Sequence, residues 1–400
     1  MKRVPAIRKI IIPGFRFAGI SAGIKKSGDR DLALIYSETP AVAAGLFTTN
    51  RIKAAPVKLA IGNITSKKAQ AIIINSGNAN ACTGEKGMKA AREIIKGTAH
   101  ELGISPDLVY SSSTGIIGRP FPLEKINKAL PALIMKLSPL SLKHTASAIM
   151  TTDTFAKISF KQVEIGGVKG TIAGITKGAG MICPNMATML CFIVTDIAIN
   201  PPALDSALRE AANRSFNMLS VDNDMSTNDT IMIMANGLLK NPLITKRSSY
   251  YANFKSALNE ITYDLARMIA EDGEGATKLV EVFVEGARSK SDAGRIALSV
   301  ANSMLVKTAI YGRDPNWGRI MAAIGYSGIA VNENKIDISL NKIKIVSKGM
   351  GTDRDKAARN TLSNKNILIT IDLGTGKETA QALTCDLTEG YIKINAHYGT

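Results

Sequence analysis

Thr188 is the residue of this 400-residue chain around which chemistry could be built. It stands in KGAGMICPNMATML, residues 177–190, behind the small Ala187 and at the mouth of the apolar run MLCFIVTD. A threonine hydroxyl is a weak nucleophile until a base sits beside it. The chain has only three histidines, His100, His144 and His397, so a Ser-His-Asp arrangement has few bases to draw on. One solution needs no partner side chain. If the peptide between Ala187 and Thr188 is cut, the new α-amine lies next to its own hydroxyl, and an amine of pKa about 7.7–8.0 is roughly one-third neutral near pH 7.5. The same hydroxyl could make the cut by attacking the Ala187 carbonyl, which a small side chain leaves accessible, provided an oxyanion hole takes the developing charge. On the residues alone, a threonine that merely opens a strand is the commoner occurrence, and both readings stay open at this point.

Other motifs carry less. VDNDMSTNDT (221–230) has the carboxylates of a calcium loop, but an EF-hand needs glycine sixth and glutamate twelfth, where this chain has Thr227 and Ile233. A turn held by its own Asx and hydroxyl side chains is expected instead. GAG (178–180) has Cys183 where a dinucleotide fingerprint wants Gly or Ala, and GEG (273–275) lacks the Gly-Lys-Ser/Thr ending of a P-loop. Both read as tight turns that also leave room for close approach of a substrate. YGRDPNWGR (311–319), with Trp317, reads as an anion site or as a loop closing onto a helix. Cys82, Cys183, Cys191 and Cys385 form no CxxC pair, so neither a disulfide framework nor a zinc site is expected, and the thiols should be reduced and partly buried.

These residues need a scaffold, and the chain alternates short apolar runs with longer amphipathic ones, as a layered α/β protein does. Strands are predicted at 32–37, 71–75, 108–112, 190–196, 278–286, 366–373 and 390–396. Helices are predicted at 85–103, ending at Gly103, at 202–216 and at 250–271. No repeat or linker marks a domain boundary. Hydrophobic residues make up 45% and charged residues 21%, and no apolar run approaches the roughly 18–20 residues that span a bilayer. The N-terminus lacks the apolar core of a secretory signal, so a cytoplasmic protein is expected. The net charge of +17 is spread along the chain with few aromatics, which favours a solvated surface or anionic small substrates over nucleic acid.

Nine blocks in order, from GFRFAGISAGIKKSGDRDLALIYS through FTTNRIKAAPV, NSGNANACTGEKG, SSTGIIG, MTTDTF, DNDMSTNDT, EDGEGATKL and VKTAIYGRDPNWGR to INAHYGT, carry a resemblance over the full length. With KGAGMICPNMATML, the chain resembles the ornithine acetyltransferase family, the bifunctional glutamate N-acetyltransferases of arginine biosynthesis. The resemblance implies an α/β fold: a layered α-β-β-α sandwich of the aminopeptidase-like N-terminal-nucleophile type, with a smaller second α/β domain. It implies self-cleavage into 1–187 and 188–400, both contributing to one intertwined fold, assembled as a heterotetramer of two copies of each. Thr188 would be the nucleophile, and Thr114 and Gly115 the oxyanion hole. Thr151, Lys177, Thr188, Glu274, Asn395 and Thr400 would bind substrate, with Lys177 suited to a carboxylate and Glu274 to an ammonium. The implied reaction passes an acetyl group from N-acetylornithine to Thr188 and on to glutamate. No bound cofactor or metal is implied, and acetyl-CoA stands as a further donor. His397 and Gly399 replace an acidic residue and an arginine more usual in the terminal block, and Asn223 stands where glycine is common. The rival readings are an N-terminal-nucleophile aminopeptidase or amidohydrolase, and a non-catalytic basic nucleic-acid-binding protein.

Overall fold

The computed structural model describes residues 10–183 and 189–397. Their contacts divide into two units, one drawn from 10–178, 189–213 and 226–265, the other from 179–183, 214–225 and 266–397. The first unit opens with strands β1 (Phe15–Ile20) and β2 (Leu32–Phe47), helix α1 (Ala55–Asn63), strand β3 (Lys68–Asn78) and helix α2 (Gly84–Leu102). Strand β4 (Val109–Ile116), helices α3 (Leu123–Met135) and α4 (Leu142–Ala148), and strands β5 (Lys157–Ile165) and β6 (Val168–Lys177) follow. Strand β7 (Leu190–Thr195), helix α5 (Pro201–Arg214), strand β8 (Thr230–Ala235) and most of helix α6 (Tyr251–Glu271) complete it.

The strands form one sheet in the order β4-β3-β2-β8-β7-β6-β5, with β1 paired to β2. Strand β2 is long because it serves three partners. Leu32–Ser37 pairs with β1, the ladder to β3 runs to Tyr36 and resumes after a shift at Ala41 and Val42, and Val42–Phe47 pairs with β8. Pro40 lies in that gap, where its missing N–H breaks no ladder bond. The sheet folds back on itself. Strands β4 and β6 stand five places apart, about 24 Å in a flat sheet, yet Lys177 Nζ of β6 lies 3.3 Å from Thr114 Oγ1 of β4.

The two-residue period of a strand sorts side chains into layers. Ile72 and Ile74 of β3 share an inner core with Phe192, Val194, Met232 and Met234 of the returning strands, whereas Ala71 and Ile73 pack outward with Ile94, Ile95 and Ala99 of α2 and Ile126, Leu130 and Leu133 of α3. On the other flank Gly174 of β6 has no side chain because Leu265 and Ile261 of α6 fill its place. Helix, sheet, sheet and helix therefore follow one another, the α-β-β-α sandwich expected. Helix α2 ends where predicted, with Gly103 at φ +66° and its N–H donating to Ala99 and His100 carbonyls.

The second, smaller unit contains strand β9 (Leu279–Ala287), helices α7 (Lys290–Asn302), α8 (Met304–Tyr311) and α9 (Trp317–Gly325), and strands β10 (Asp337–Leu340), β11 (Ile343–Ser347) and β12 (Met350–Gly351). Helix α10 (Asp355–Thr361), strands β13 (Asn366–Asp372) and β14 (Glu378–Cys385), and helix α11 (Glu389–Asn395) end it. Its sheet runs β12-β11-β10-β13-β9-β14 around a core that includes Val282, Ile296, Val300, Ile338 and Ile369. The Pro-Asn turn before Trp317 closes onto a helix, as one reading expected: the Asn316 side chain accepts the Arg319 N–H and starts α9.

One expectation fails. The strand predicted at 390–396 is helix α11, because Thr388 caps it by accepting the Gly390 N–H at 3.0 Å and donating to the Gly275 carbonyl at 2.7 Å. Cys191 and Cys385 are buried, whereas Cys82 is exposed. Among the described residues no helix is long and apolar enough to cross a membrane.

Candidate active site

In the first unit, Lys177 meets Thr114 directly, and a buried carboxylate ties Thr151 to the residue that follows Lys177. Lys177, the last residue of β6, is buried and donates from Nζ to Thr114 Oγ1. Asp153 Oδ1 accepts the Gly178 N–H at 2.7 Å and Lys157 Nζ at 2.7 Å, and its Oδ2 accepts the Thr151 N–H at 2.9 Å. Thr151 is thereby tied to the end of β6. Burial opposes ionisation of Asp153, but the charges of Lys157 and Lys177 together with hydrogen bonds from Lys157 and Gly178 outweigh it and hold this carboxyl well below the usual range. It remains a carboxylate at neutral pH, and its stabilising contribution is lost only as pH falls below the unfolded value of about 3.9. A cleft of about 430 Å³ opens on Thr151 and Asp153, rimmed by Lys25, Arg30 and Lys143.

The peptide at Thr114–Gly115 is fixed from several sides. Gly115 has φ +132°, and an added Cβ would collide with the Gly77 backbone of the neighbouring strand, so no other residue fits. Asn228 Nδ2 donates to the Ala79 carbonyl at 2.6 Å and the Ser113 carbonyl at 2.8 Å. Ser113 Oγ donates to Asn75 Oδ1 at 2.6 Å, and Asn75 Nδ2 to the Asn78 carbonyl at 2.8 Å. A hydroxyl and an N–H held this firmly can face a developing oxyanion without reorganising. The Lys177 ammonium, by donating to Thr114 Oγ1, polarises that hydroxyl as a donor.

In the second unit Glu274 is buried, and its Oε2 accepts Asn395 Nδ2 at 2.8 Å. Its N–H donates to the Ala179 carbonyl at 2.8 Å, and its carboxylate occupies the space a Cβ on Gly180 would need. GAG and GEG are thus turns packed against each other. Asp222 accepts the Met181 N–H at 2.6 Å and the Ile182 N–H at 2.7 Å, with the Tyr391 hydroxyl at 3.2 Å. Burial pushes the Asp222 carboxyl up, against the pull of these donors, and burial with the Asp222 charge pushes Tyr391 up. Asn223, in the place where glycine is common, has φ +64°, a conformation asparagine tolerates better than most residues. His397 is exposed.

Ala187, Thr188, Gly399 and Thr400 lie outside the described residues. Sequence reasoning misses Asp153 with Lys157, whose only signal is an Asp and a Lys four apart, and Asn228, which stands in a stretch that reads as a turn.

Residues 16–400 match the ArgJ family. The chain belongs to that family. The "Arginine biosynthesis bifunctional protein ArgJ" of Geobacter sulfurreducens is 50% identical over 391 residues, covering 97% of this chain and 100% of the relative. The protein of the same name from Symbiobacterium thermophilum is 48% identical over 390 residues, 97% of each. A crystal structure of the ArgJ protein from Bacillus halodurans is 44% identical with a TM-score of 0.51, and the match covers 98% of that chain and 52% of this one. ArgJ relatives thus align with both units described above, and their sequences are similar from end to end.

Proposed function

We propose that this chain is a self-cleaving acyltransferase of arginine biosynthesis, which moves the acetyl group of N-acetyl-L-ornithine to L-glutamate through an ester on Thr188. The observation that carries the reading is the buried Lys177–Thr114 contact beside the immobilised Gly115, a ready oxyanion site in a member of the ArgJ family. The solved relative's chain is about half as long as this one, which supports the cut between Ala187 and Thr188.

In this reading the freed α-amine takes the Thr188 hydroxyl proton and Oγ attacks the acetyl carbonyl. Charge collects on the carbonyl oxygen, faced by the Thr114 hydroxyl and the Gly115 N–H, and ornithine leaves with the proton. The amine of glutamate then attacks the ester and restores Thr188. Lys177 takes a substrate carboxylate, Glu274 with Asn395 takes an ammonium, and Thr151 and Thr400 complete the binding set. The relatives' description as bifunctional supports acetyl-CoA as a second acetyl donor. A cytoplasmic heterotetramer of two copies of each fragment completes the proposal, and the +17 charge draws in carboxylate-bearing substrates.

The test pairs intact-mass spectrometry with an acetyl-transfer assay. The wild type should appear as fragments 1–187 and 188–400 and form N-acetylglutamate from N-acetylornithine, while Thr188→Ala stays whole and inactive. Free acetate released equally with and without glutamate would identify a hydrolase instead. An uncut chain retained on RNA in a salt-sensitive way would indicate the nucleic-acid reading.

A further inference from the structure

A second cleft adjoins the one that opens on Thr151, and nothing in the amino-acid chemistry proposed above fills it. It measures about 800 Å³ and is lined by residues 19–21, 28–30 and 135–138 with Ser141 and His144. Asp29 and Arg30 line both clefts, so the two are continuous. Pockets of about 300–1,000 Å³ take ligands much larger than an amino acid, and the smaller cleft alone is in that range.

The walls of the larger cleft are built on β1. Buried Asp31 accepts the N–H groups of Ala22, Ile24 and Lys25 at 2.6, 2.5 and 2.9 Å, and Lys25 Nζ donates to the Arg30 carbonyl at 2.8 Å, which fixes the loop between β1 and β2. Phe17 exchanges both backbone hydrogen bonds with Ser138, each of 3.0 Å, and so anchors the segment after α3. A Cβ on Gly19 would collide with the His144 carbonyl, so its absence lets α4 lie directly on the strand. On this frame stand Arg30, Lys136 and His144, with Lys143 in the adjoining cleft and Asp29 as the one carboxylate of the larger cleft's lining. Among the described residues no salt bridge engages Arg30, Lys136 or Lys143. Desolvation first, and then the charges of Arg30 and Lys143, hold the His144 imidazole below its ordinary value, so these cations converge on one space. Met135, 80% exposed, adds an apolar face with Leu137 and Ile20.

Unbalanced cations, an apolar face and an opening toward Thr151 suit a ligand with phosphates and a base at one end and an uncharged arm at the other. We propose that this cleft binds the nucleotide end of acetyl-CoA, with Arg30, Lys136 and His144 on its phosphates and Met135 against the adenine. The arm then runs through the smaller cleft, past Met150 and Phe155, toward Thr151. This rests on the reading of the chain as an acetyltransferase that takes a second donor. A guanidinium can fork onto two phosphate oxygens, and an ammonium adds a point charge. N-acetylornithine carries no phosphate and leaves the larger cleft empty.

Purified wild type, Lys136→Glu and Lys136→Arg are compared with both donors, and CoA binding is read by isothermal titration calorimetry. Lys136 is exposed, so neither substitution disturbs the core. Lys136→Glu should weaken CoA binding and raise KM for acetyl-CoA roughly tenfold, the worth of one charge-assisted contact, with transfer from N-acetylornithine unchanged. Lys136→Arg should behave as wild type. Adenosine 3′,5′-bisphosphate, the nucleotide end alone, should inhibit wild-type transfer from acetyl-CoA and not from N-acetylornithine, and S-acetylpantetheine, which lacks that end, should serve wild type and Lys136→Glu equally. Equal CoA affinity in wild type and Lys136→Glu, the same loss with S-acetylpantetheine as with acetyl-CoA, or inhibition by the bisphosphate against both donors alike overturns the nucleotide site. A wild type that transfers from N-acetylornithine but binds no CoA overturns it too and leaves the amino-acid reaction standing. A wild type that transfers from neither donor overturns the reading beneath it as well.

Discussion

Two carboxyls of the first unit, both almost fully enclosed, are driven in opposite directions by what surrounds them. Asp153 has two lysines and a backbone donor beside it and is held ionised, while Asp229 has the Met189 N–H, the Thr48 hydroxyl and the charge of Lys177, and is still pushed well above the usual carboxylate range, chiefly by burial. For Asp229 the folded chain binds the proton more tightly than the unfolded one. Its contribution to stability is therefore full below about pH 4, near the unfolded value, and declines as pH rises from there toward the raised folded value. Asp229→Asn removes that dependence. Thermal melts of the two proteins should coincide near pH 4, and the variant should melt higher as pH approaches neutrality; a gap that does not change with pH would contradict the assignment. Thr114 and Lys177 could be singled out in the sequence through the family resemblance of the motifs they sit in. Asp229 was not, since an aspartate among Asn, Ser and Thr looks like any turn residue until tertiary packing encloses it.

Elements were legible where one period dominated. The apolar run at 71–75 and the alternation at 278–286 produced strands, and Gly103 ended its helix, because in each case local pattern and tertiary packing agree. In GYIKINA they disagree. Tyr391, Ile392 and Ile394 favour a strand by propensity, but no residue of α11 is buried, so no sheet face exists to reward alternation, and the cap at Thr388 decides. The same cap anchors a site residue, for α11 presents Asn395 to Glu274 while Thr388 Oγ1 holds the Gly275 carbonyl next to that carboxylate. Thr388→Ala should cost about 1 kcal/mol of stability, the usual worth of an N-cap. Urea unfolding measures that loss. If Glu274 and Asn395 take the substrate ammonium, KM for glutamate should rise roughly tenfold, equivalent to about 1.4 kcal/mol, with kcat changed much less. A fall in kcat at constant KM would place α11 outside substrate binding.

At the scale of the molecule, the path of the chain decides what a cut after Ala187 can do. The middle of the first unit's sheet runs β2-β8-β7-β6, so both strands from beyond the junction lie between strands that precede it. Strand β8 is laddered to β2 over Val42–Phe47, and β7 to β6 from Ile172 to Lys177. These bonds join the two sides of the junction without depending on the peptide to be broken, and the inner core draws Phe192 and Met232 from one side of the junction and Ile35 and Ile175 from the other. Cleavage should therefore leave the fold whole. The cut protein should elute from gel filtration as one species containing both fragments and separate only in strong denaturant. Expressed by itself, 188–400 would keep the parallel β7–β8 pair with both outer edges unpaired, a template for aggregation. That fragment should be insoluble alone and recovered in soluble form when 1–187 is made beside it. A soluble, cooperatively folded 188–400 would mean that the downstream strands do not depend on β2 and β6 for their place in the sheet.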